Sequence, residues 1–321
     1  MRNLKIAFVA IALTSLLAGC SATPSANSVF AGIKPACQKM QGGAEIDTVK
    51  VTAEDGKVPS VDFVTTDKKT GTVSPLTKIK ATQTKVITEG SGPEYTGDQQ
   101  LTIEFAVFNA SNGSPIGSTS WNGTDASTEF FNSTDSADFC NAITGVKEGS
   151  LVAFATPVSE EDPNGSLFVI KITKIFLPHA NGEEKAPEAG FPQVVRDPKT
   201  GQPGLIKPSF GPSKTFKRAI LIEGRGDSVK TTDTVLVHYS GWIWNDALGS
   251  KFDSSWENGK PVSLTLSQTV PGFSKALDGV KVGSQVIAIL PPDEAYGTTG
   301  NSSIPPNSTL VFVIDVIDIT K

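Results

Sequence analysis

Six short runs between Val237 and Phe312 decide how this chain folds: Val237-His238-Tyr239-Ser240-Gly241, Lys251-Phe252-Asp253-Ser254-Ser255, Val270-Pro271-Gly272-Phe273, Ala295-Tyr296-Gly297, Ile304-Pro305-Pro306 and Thr309-Leu310-Val311-Phe312. Aromatic rings and one carboxylate recur at separated places, and the residues between them read as strands, one helix and turns. A concave apolar pocket with a few convergent polar groups looks like this when it is spread along a sequence. Arg218 to Ile222, Asp233 to Ser240, Val262 to Thr265, Ser284 to Leu290 and Leu310 to Ile319 are strand candidates. Gly272 to Leu277 reads as a short helical turn stopped by Gly279. One antiparallel sheet wrapped on one short helix is the α+β arrangement this order allows.

Working outward, the same pattern occurs earlier in weaker form. Glu89-Gly90-Ser91-Gly92 matches Glu223-Gly224-Arg225-Gly226, Phe105 matches Tyr239, and Gly145-Val146-Lys147-Glu148-Gly149 matches Gly279-Val280-Lys281-Val282-Gly283, all at an offset of 134. Phe168 to Ile175 matches Phe312 to Ile319 at 144, so the second copy holds ten more residues, placed around Asp293 to Asn307. Asp67-Lys68-Lys69-Thr70-Gly71 parallels Asp197-Pro198-Lys199-Thr200-Gly201 at a shorter offset. A repeat of this period means two versions of one unit. The first copy has Phe105 for the tyrosine and no Ala-Tyr-Gly loop, and Ser118-Thr119-Ser120-Trp121 is read into the Phe-Asp region without an acid. The first copy is therefore expected to have little activity of its own. Strands are expected over Ile79 to Ile87, Leu101 to Phe108, Leu151 to Thr156 and Leu167 to Phe176, and a brief helix over Phe30 to Gln41.

The totals exclude several classes. Hydrophobic residues make up 38% and charged residues 19%, with 30 Gly and 21 Pro, which suits globular strand-and-turn material. The formal charge is −5 and there is no basic run, so no nucleic-acid surface is expected. Only two histidines occur, His179 and His238, with no metal-ligand spacing, nucleophile elbow or phosphate loop. His238 reads as a packed strand residue. Neither a metal nor a cofactor is expected.

The runs from Val237 to Phe312 resemble the FKBP-type peptidyl-prolyl cis-trans isomerases, over roughly residues 216 to 321. The resemblance implies two FKBP-like domains, the first degenerate, and a rotamase that turns Xaa-Pro bonds without covalent chemistry. It places the pocket floor on Phe273, aromatic walls on Tyr239, Phe252 and Phe312, and the pocket carboxylate on Asp253. It gives Val270 a backbone donor to a bound carbonyl, Tyr296 a hydroxyl doing likewise, and Val262 and Ile304 the apolar rim. The sequence departs from the pattern at three points: Phe273 stands where Trp is commoner, Asn258 stands near a frequent Arg, and Gly300 to Ile304 is one residue short. The partners implied are proline-containing segments of exported proteins and the macrolide ligands of that family. The alternative is a non-catalytic chaperone or adaptor that holds proline segments.

The N-terminus reads as a targeting segment. Arg2 and Lys5 precede an apolar stretch, Ile6 to Ala18, too short to span a bilayer. Leu16-Leu17-Ala18-Gly19-Cys20 resembles a bacterial lipobox, which implies lipidation of Cys20, palmitate included, and attachment to the extracytoplasmic face of the cell membrane. Cys37 and Cys140 then remain, either as a disulfide in an oxidising compartment or as two buried thiols. The expected organisation is a signal peptide over 1–19, a lipidated tether over 20–40, a degenerate domain over 41–178, a linker over 179–190 and the isomerase domain over 191–321.

Overall fold

The computed structural model describes residues 37–40, 42–63, 75–97, 99–131, 136–244 and 251–320. The leader, Cys20 and the Asp67-to-Gly71 parallel lie outside these residues. So does most of the brief helix expected over Phe30 to Gln41; residues 37–40 are not helical.

The first domain contains α1 (Ala44–Asp47), β1 (Val49–Thr52), β2 (Ser60–Phe63), β3 (Gln83–Thr88), β4 (Leu101–Asn109), β5 (Pro115–Ser118), β6 (Ser127–Glu129), α2 (Ala137–Ile143), β7 (Leu151–Ala155) and β8 (Ser166–Ile175). Three short strands follow: β9 (Glu183–Glu184), β10 (Gln193–Arg196) and β11 (Pro203–Ile206). The second domain has β12 (Lys217–Glu223), β13 (Thr234–Ile243), β14 (Lys251–Ser254), β15 (Val262–Thr265), α3 (Pro271–Leu277), β16 (Gln285–Leu290) and β17 (Leu310–Ile319). Both large sheets are antiparallel, which gives the α+β class read from the sequence.

The strand orders are β3-β7-β8-β4-β5 and β12-β16-β17-β13-β14, with β6 on β4 and β15 on β13. Strand for strand these are one topology. The bulges repeat too: Val86/Thr88 and Ile220/Ile222, Thr102/Ile103 and Leu236/Val237, Val107/Phe108 and Gly241/Trp242. A bulge inserts one residue and re-aims the strand, so identical placement preserves which side chains face the helix. The Glu-Gly-Xaa-Gly runs occupy matching sites, where Gly90 and Gly224 lie against the opposite turn. A Cβ there would come within 2.1 Å of the Glu148 or the Val282 carbonyl oxygen.

Each sheet curls its concave face around its helix. In the second domain Val235, Val237, Val286, Ala288, Leu290, Ile314 and Val316 pack with Phe273, Ala276 and Leu277 of α3. Pro271 opens α3 at a position where its missing N–H costs nothing. β16 is buried at every residue because both faces of the sheet are covered, hence its continuous apolar run. The convex face is covered by residues that precede β12. Phe191, Val194 and Leu205 pack on Ala219, Trp242, Ile287, Val311 and Val313.

The stretch 179–190 is thus more than a linker. Glu183 and Glu184 extend the second sheet by pairing with β12. Ala180 N–H donates to the buried Asp315 carboxylate at 2.8 Å. Phe176 and Leu177 pack on Leu236 and Ile317, and Lys174 pairs with Asp318 at 2.6 Å. Cys37 and Cys140 form the disulfide, tying the segment before α1 to α2.

Candidate active site

β13 contributes Tyr239 from its concave face, because side chains alternate along a strand and Val235 and Val237 point the same way. β14 sets Phe252 and Asp253 beside it, with Asp253 opposite Gly241. α3 carries Phe273 in its first turn, and β17 brings Phe312 opposite Gly241 on the other side. Phe312 is the hub: ring centroids lie 5.3 Å from Phe273, 5.6 Å from Phe252 and 6.2 Å from Tyr239. Tyr239 meets Phe273 edge-on at 6.1 Å. Edge-to-face pairs of this kind hold rings at fixed angles.

The rim residues join the same cluster. Ile304 is buried within it, and Val262 and Val270 pack against it. Val270 also starts α3, its carbonyl accepting from Phe273 N–H at 3.0 Å. The Val270 N–H has no partner among the described residues, so it is available to a ligand carbonyl. Tyr296 is 38% exposed, on the loop that follows β16.

Tyr239 Oη donates to Asp253 Oδ2. Burial raises the Tyr239 hydroxyl well above the ordinary phenol range; the Asp253 hydrogen bond and the charges of Asp253 and Tyr296 add to this. The hydroxyl is therefore a permanent donor, fixed on the carboxylate. Of the nine positions implied by the resemblance, Tyr239, Phe252, Val262, Val270, Phe273, Ile304 and Phe312 pack in one cluster, Asp253 joins it through Tyr239, and Tyr296 stands on the exposed loop after β16.

Behind the strand is a polar layer that the sequence reading did not anticipate. His238 Nδ1 lies 2.9 Å from Ser255 Oγ, and Tyr239 N–H donates to the same oxygen at 2.9 Å. The imidazole stacks on Trp256 with centroids 4.0 Å apart. Burial, with the charge of His179 adding to it, lowers the His238 pKa to about 4, so His238 is neutral and positions the strand. Asp315, the cross-strand neighbour of His238, accepts from Ala180 N–H and from Gln285 Nε2 at 2.7 Å. Burial lifts its pKa to about 6 despite those donors.

The first domain has a counterpart at each aromatic place. Phe105 sits where Tyr239 does, and α2 puts Phe139 where α3 puts Phe273. Phe168 and Val107 pair as Phe312 and Gly241 do. Ser118 and Thr119 correspond to Ser254 and Ser255: Thr119 Oγ1 accepts from Phe105 N–H at 3.1 Å, as Ser255 Oγ does from Tyr239 N–H. The Phe-Asp counterpart is therefore Ile116-Gly117, with Gly117 opposite Val107 as Asp253 is opposite Gly241. The sequence assignment to Ser118-Trp121 was two residues late. Its chemical conclusion, that no acid stands there, agrees with Gly117.

Residues 226–317 match the family model of the FKBP-type peptidyl-prolyl cis-trans isomerases. A probable FKBP-type peptidyl-prolyl cis-trans isomerase of Haemophilus influenzae is 42% identical over 125 residues, 39% of this chain and 46% of that protein. FkpA of Escherichia coli, an FKBP-type peptidyl-prolyl cis-trans isomerase, is 40% identical over 96 residues, 30% of this chain and 34% of its own. The peptidyl-prolyl cis-trans isomerase Mip of Chlamydia pneumoniae is 41% identical over 106 residues, 33% and 39% of the two chains. The match spans less than half the length of each of these relatives. The segment that matches this family model, residues 226–317, contains the whole aromatic cluster of Tyr239, Phe252, Phe273 and Phe312.

Proposed function

We propose that the second domain rotates Xaa-Pro peptide bonds of exported proteins. The observation that carries this is the closure of Tyr239, Phe252, Phe273, Phe312 and Ile304 around one apolar hollow, with Asp253 holding the Tyr239 hydroxyl at its edge. The imide is planar because of resonance, and rotation must climb a barrier of ~18–20 kcal/mol. The twisted state loses that resonance and carries less charge on its oxygen. A dry aromatic surface suits it better than the polar planar state, so shape and desolvation favour the transition state over the ground state. The Val270 N–H and the Tyr296 hydroxyl anchor carbonyls on either side of the turning bond. No acid, base or nucleophile takes part, in keeping with a neutral, buried His238.

The chain is proposed to act outside the cytoplasm, held to the cell membrane by lipid on Cys20. The Cys37–Cys140 disulfide supports an oxidising compartment. Macrolide ligands of the family are proposed to enter the same hollow. The first domain, with Phe105 and Gly117 in place of a phenol and a carboxylate, is proposed to turn over no prolyl bonds. The test is protease-free cis/trans exchange on a short Xaa-Pro peptide. The full chain accelerates exchange, and Asp253→Val and Tyr296→Phe lower it. Exchange at the uncatalysed rate would leave a holding function for proline segments in its place.

A further inference from the structure

We propose that the Lys275–Glu294 ion pair is a latch that holds the Tyr296 loop on α3, which makes Lys275 and Glu294 positioning residues for prolyl exchange. The latch itself rests on the contacts of the loop; its effect on exchange rests on the isomerase reading.

The loop after β16 leaves through two prolines. Pro291 is buried, and Pro292–Glu294 forms a 3-10 turn that runs straight into Ala295-Tyr296-Gly297. Ala295 N–H and Gly297 N–H both donate to the Pro292 carbonyl, at 3.1 and 2.8 Å, and Asn307 N–H donates to the Gly297 carbonyl at 2.9 Å. These bonds make the loop one unit, so what moves Glu294 moves Tyr296. Its far limb buries Ile304 in the aromatic cluster, with Asn301 N–H donating to the Ile304 carbonyl at 2.8 Å.

Backbone and charge both hold this unit against α3. Gly272, in the first turn of α3, lies so close that a Cβ would come within 2.9 Å of the Glu294 carbonyl oxygen and 2.4 Å of Leu290 Cγ. One turn further on, Lys275 Nζ donates to Glu294 Oε1. The helix is the fixed partner. Its Phe273, Ala276 and Leu277 are buried, and Arg218 Nη1 donates to the Asp278 carbonyl just past its last residue, at 2.7 Å.

The state of the carboxylate makes this pair decisive. The Glu294 side chain is only 17% exposed, and its Oε2 has no hydrogen-bond partner among the described residues. A covered carboxylate with a single charged donor is costly to leave unpaired. Lys275 is 55% exposed and reaches it from solvent. With the ammonium gone, Glu294 gains by swinging into water, and the unit that carries Tyr296 leaves α3 with it. Tyr296 would hold a carbonyl beside the turning bond in both the planar and the twisted state. Losing the docked loop therefore raises KM more than it lowers kcat.

The test uses the full chain and two readouts, amide hydrogen exchange at Ala295 and Gly297 and cis/trans exchange of an Xaa-Pro peptide. Lys275→Met is expected to speed amide exchange at both loop positions about tenfold, while Ile314 in the middle of β17 keeps its rate. It is expected to raise KM about fivefold with kcat within about twofold of the wild type. Lys275→Arg should match the wild type. Lys275→Met with Glu294→Leu should recover both readouts, because no carboxylate is left to seek water. Salt at about 1 M should raise KM in the wild type and leave it unchanged in the double variant. Unchanged loop protection or unchanged KM in Lys275→Met overturns the proposal. So does an equal loss of protection at Ile314, which would be a general loss of stability. Failure of the double variant to recover also overturns it, since Lys275 would then act by packing and not by charge. Latch-dependent protection in a chain that shows no prolyl exchange supports the latch while removing the isomerase reading.

Discussion

Gly241 is where a single methyl group should do the most damage to the pocket. A Cβ there would lie 2.6 Å from Phe252 Cζ, 2.9 Å from Phe252 Cε1 and 2.9 Å from Phe312 Cε1. Ordinary carbon contacts are about 3.5–4.0 Å, so both rings must retreat by on the order of 1 Å. Overpacking of this kind costs ~1–3 kcal/mol, and here the strain falls on two pocket walls. The repeat shows how the clash is avoided. The first domain has Val107 at this position; the Phe252 ring that would meet it is replaced by Ile116, while the Phe312 ring is kept as Phe168. Gly241→Ala is therefore expected to lower the urea midpoint and to reduce kcat/KM for exchange by about tenfold, equivalent to ~1.4 kcal/mol of transition-state stabilisation. Adding Phe252→Ile should restore part of the lost stability but not the exchange, since the wall is then gone. A double-mutant cycle separates the two effects. Tryptophan fluorescence follows the unfolding well, because Trp242, Trp244 and Trp256 all belong to the second domain. A Gly241→Ala protein with wild-type midpoint and exchange would refute the close-contact argument, and strictly additive cycles would refute its assignment to Phe252.

Three further outcomes follow from the same contacts. Tyr239→Phe removes the donor that holds Asp253 and should cut exchange by about tenfold, on the order of 1.4 kcal/mol; full exchange in this variant would show the hydroxyl to be a bystander. His238 and Asp315 should oppose one another between about pH 4 and 6: the folded chain resists protonating His238 (6.5 lowered to about 4), which costs stability as pH falls, and binds the Asp315 proton more readily (3.8 raised to about 6), which adds stability as pH falls. Each contribution is on the order of 3 kcal/mol, so the wild-type urea midpoint should be nearly flat there, whereas Asp315→Asn should lose stability on acidification; parallel profiles would refute the pairing. Reducing Cys37–Cys140 should destabilise the first domain by up to ~4–5 kcal/mol while exchange by the second continues, and an unchanged Trp121 transition would contradict this.

The second domain was legible because its chemistry sits in unbroken runs. Val270-Pro271-Gly272-Phe273 and Ala295-Tyr296-Gly297 keep both spacing and order, and the strands Val262–Thr265 and Leu310–Ile319 fall where alternation and apolar content put them. The first domain was legible only as a frame. Its Gly-rich turns keep the offset of 134, but the hairpin from β4 to β5 is two residues shorter than its partner, and a fixed offset slides past Ile116-Gly117. Phe139 lies at the same offset of 134 from Phe273, but Ser-Ala-Asp-Phe shares only the ring with Val-Pro-Gly-Phe, and it is the common place in the helix that equates them. β9 is two glutamates that pair with β12 through backbone groups, and no side-chain pattern announces that. The polar layer of His238, Ser255, Asp315 and Gln285 depends on residues that meet across strands, far apart along the chain.

The Cys37–Cys140 bridge also decides how the molecule behaves under tension. A pull applied upstream of Cys37 crosses the sulfur link into α2 and leaves through β7 and β8 toward the second domain. The residues between the two cysteines, separated by 103 positions, sit in a closed bight that bears no load. Roughly 350 Å of slack stays locked until the thiols are reduced, at about 3.4 Å per extended residue. Stretching the oxidised chain would therefore spare Phe105, Ile116 and Phe139, all within the bight, and load α2 only from Cys140 onward.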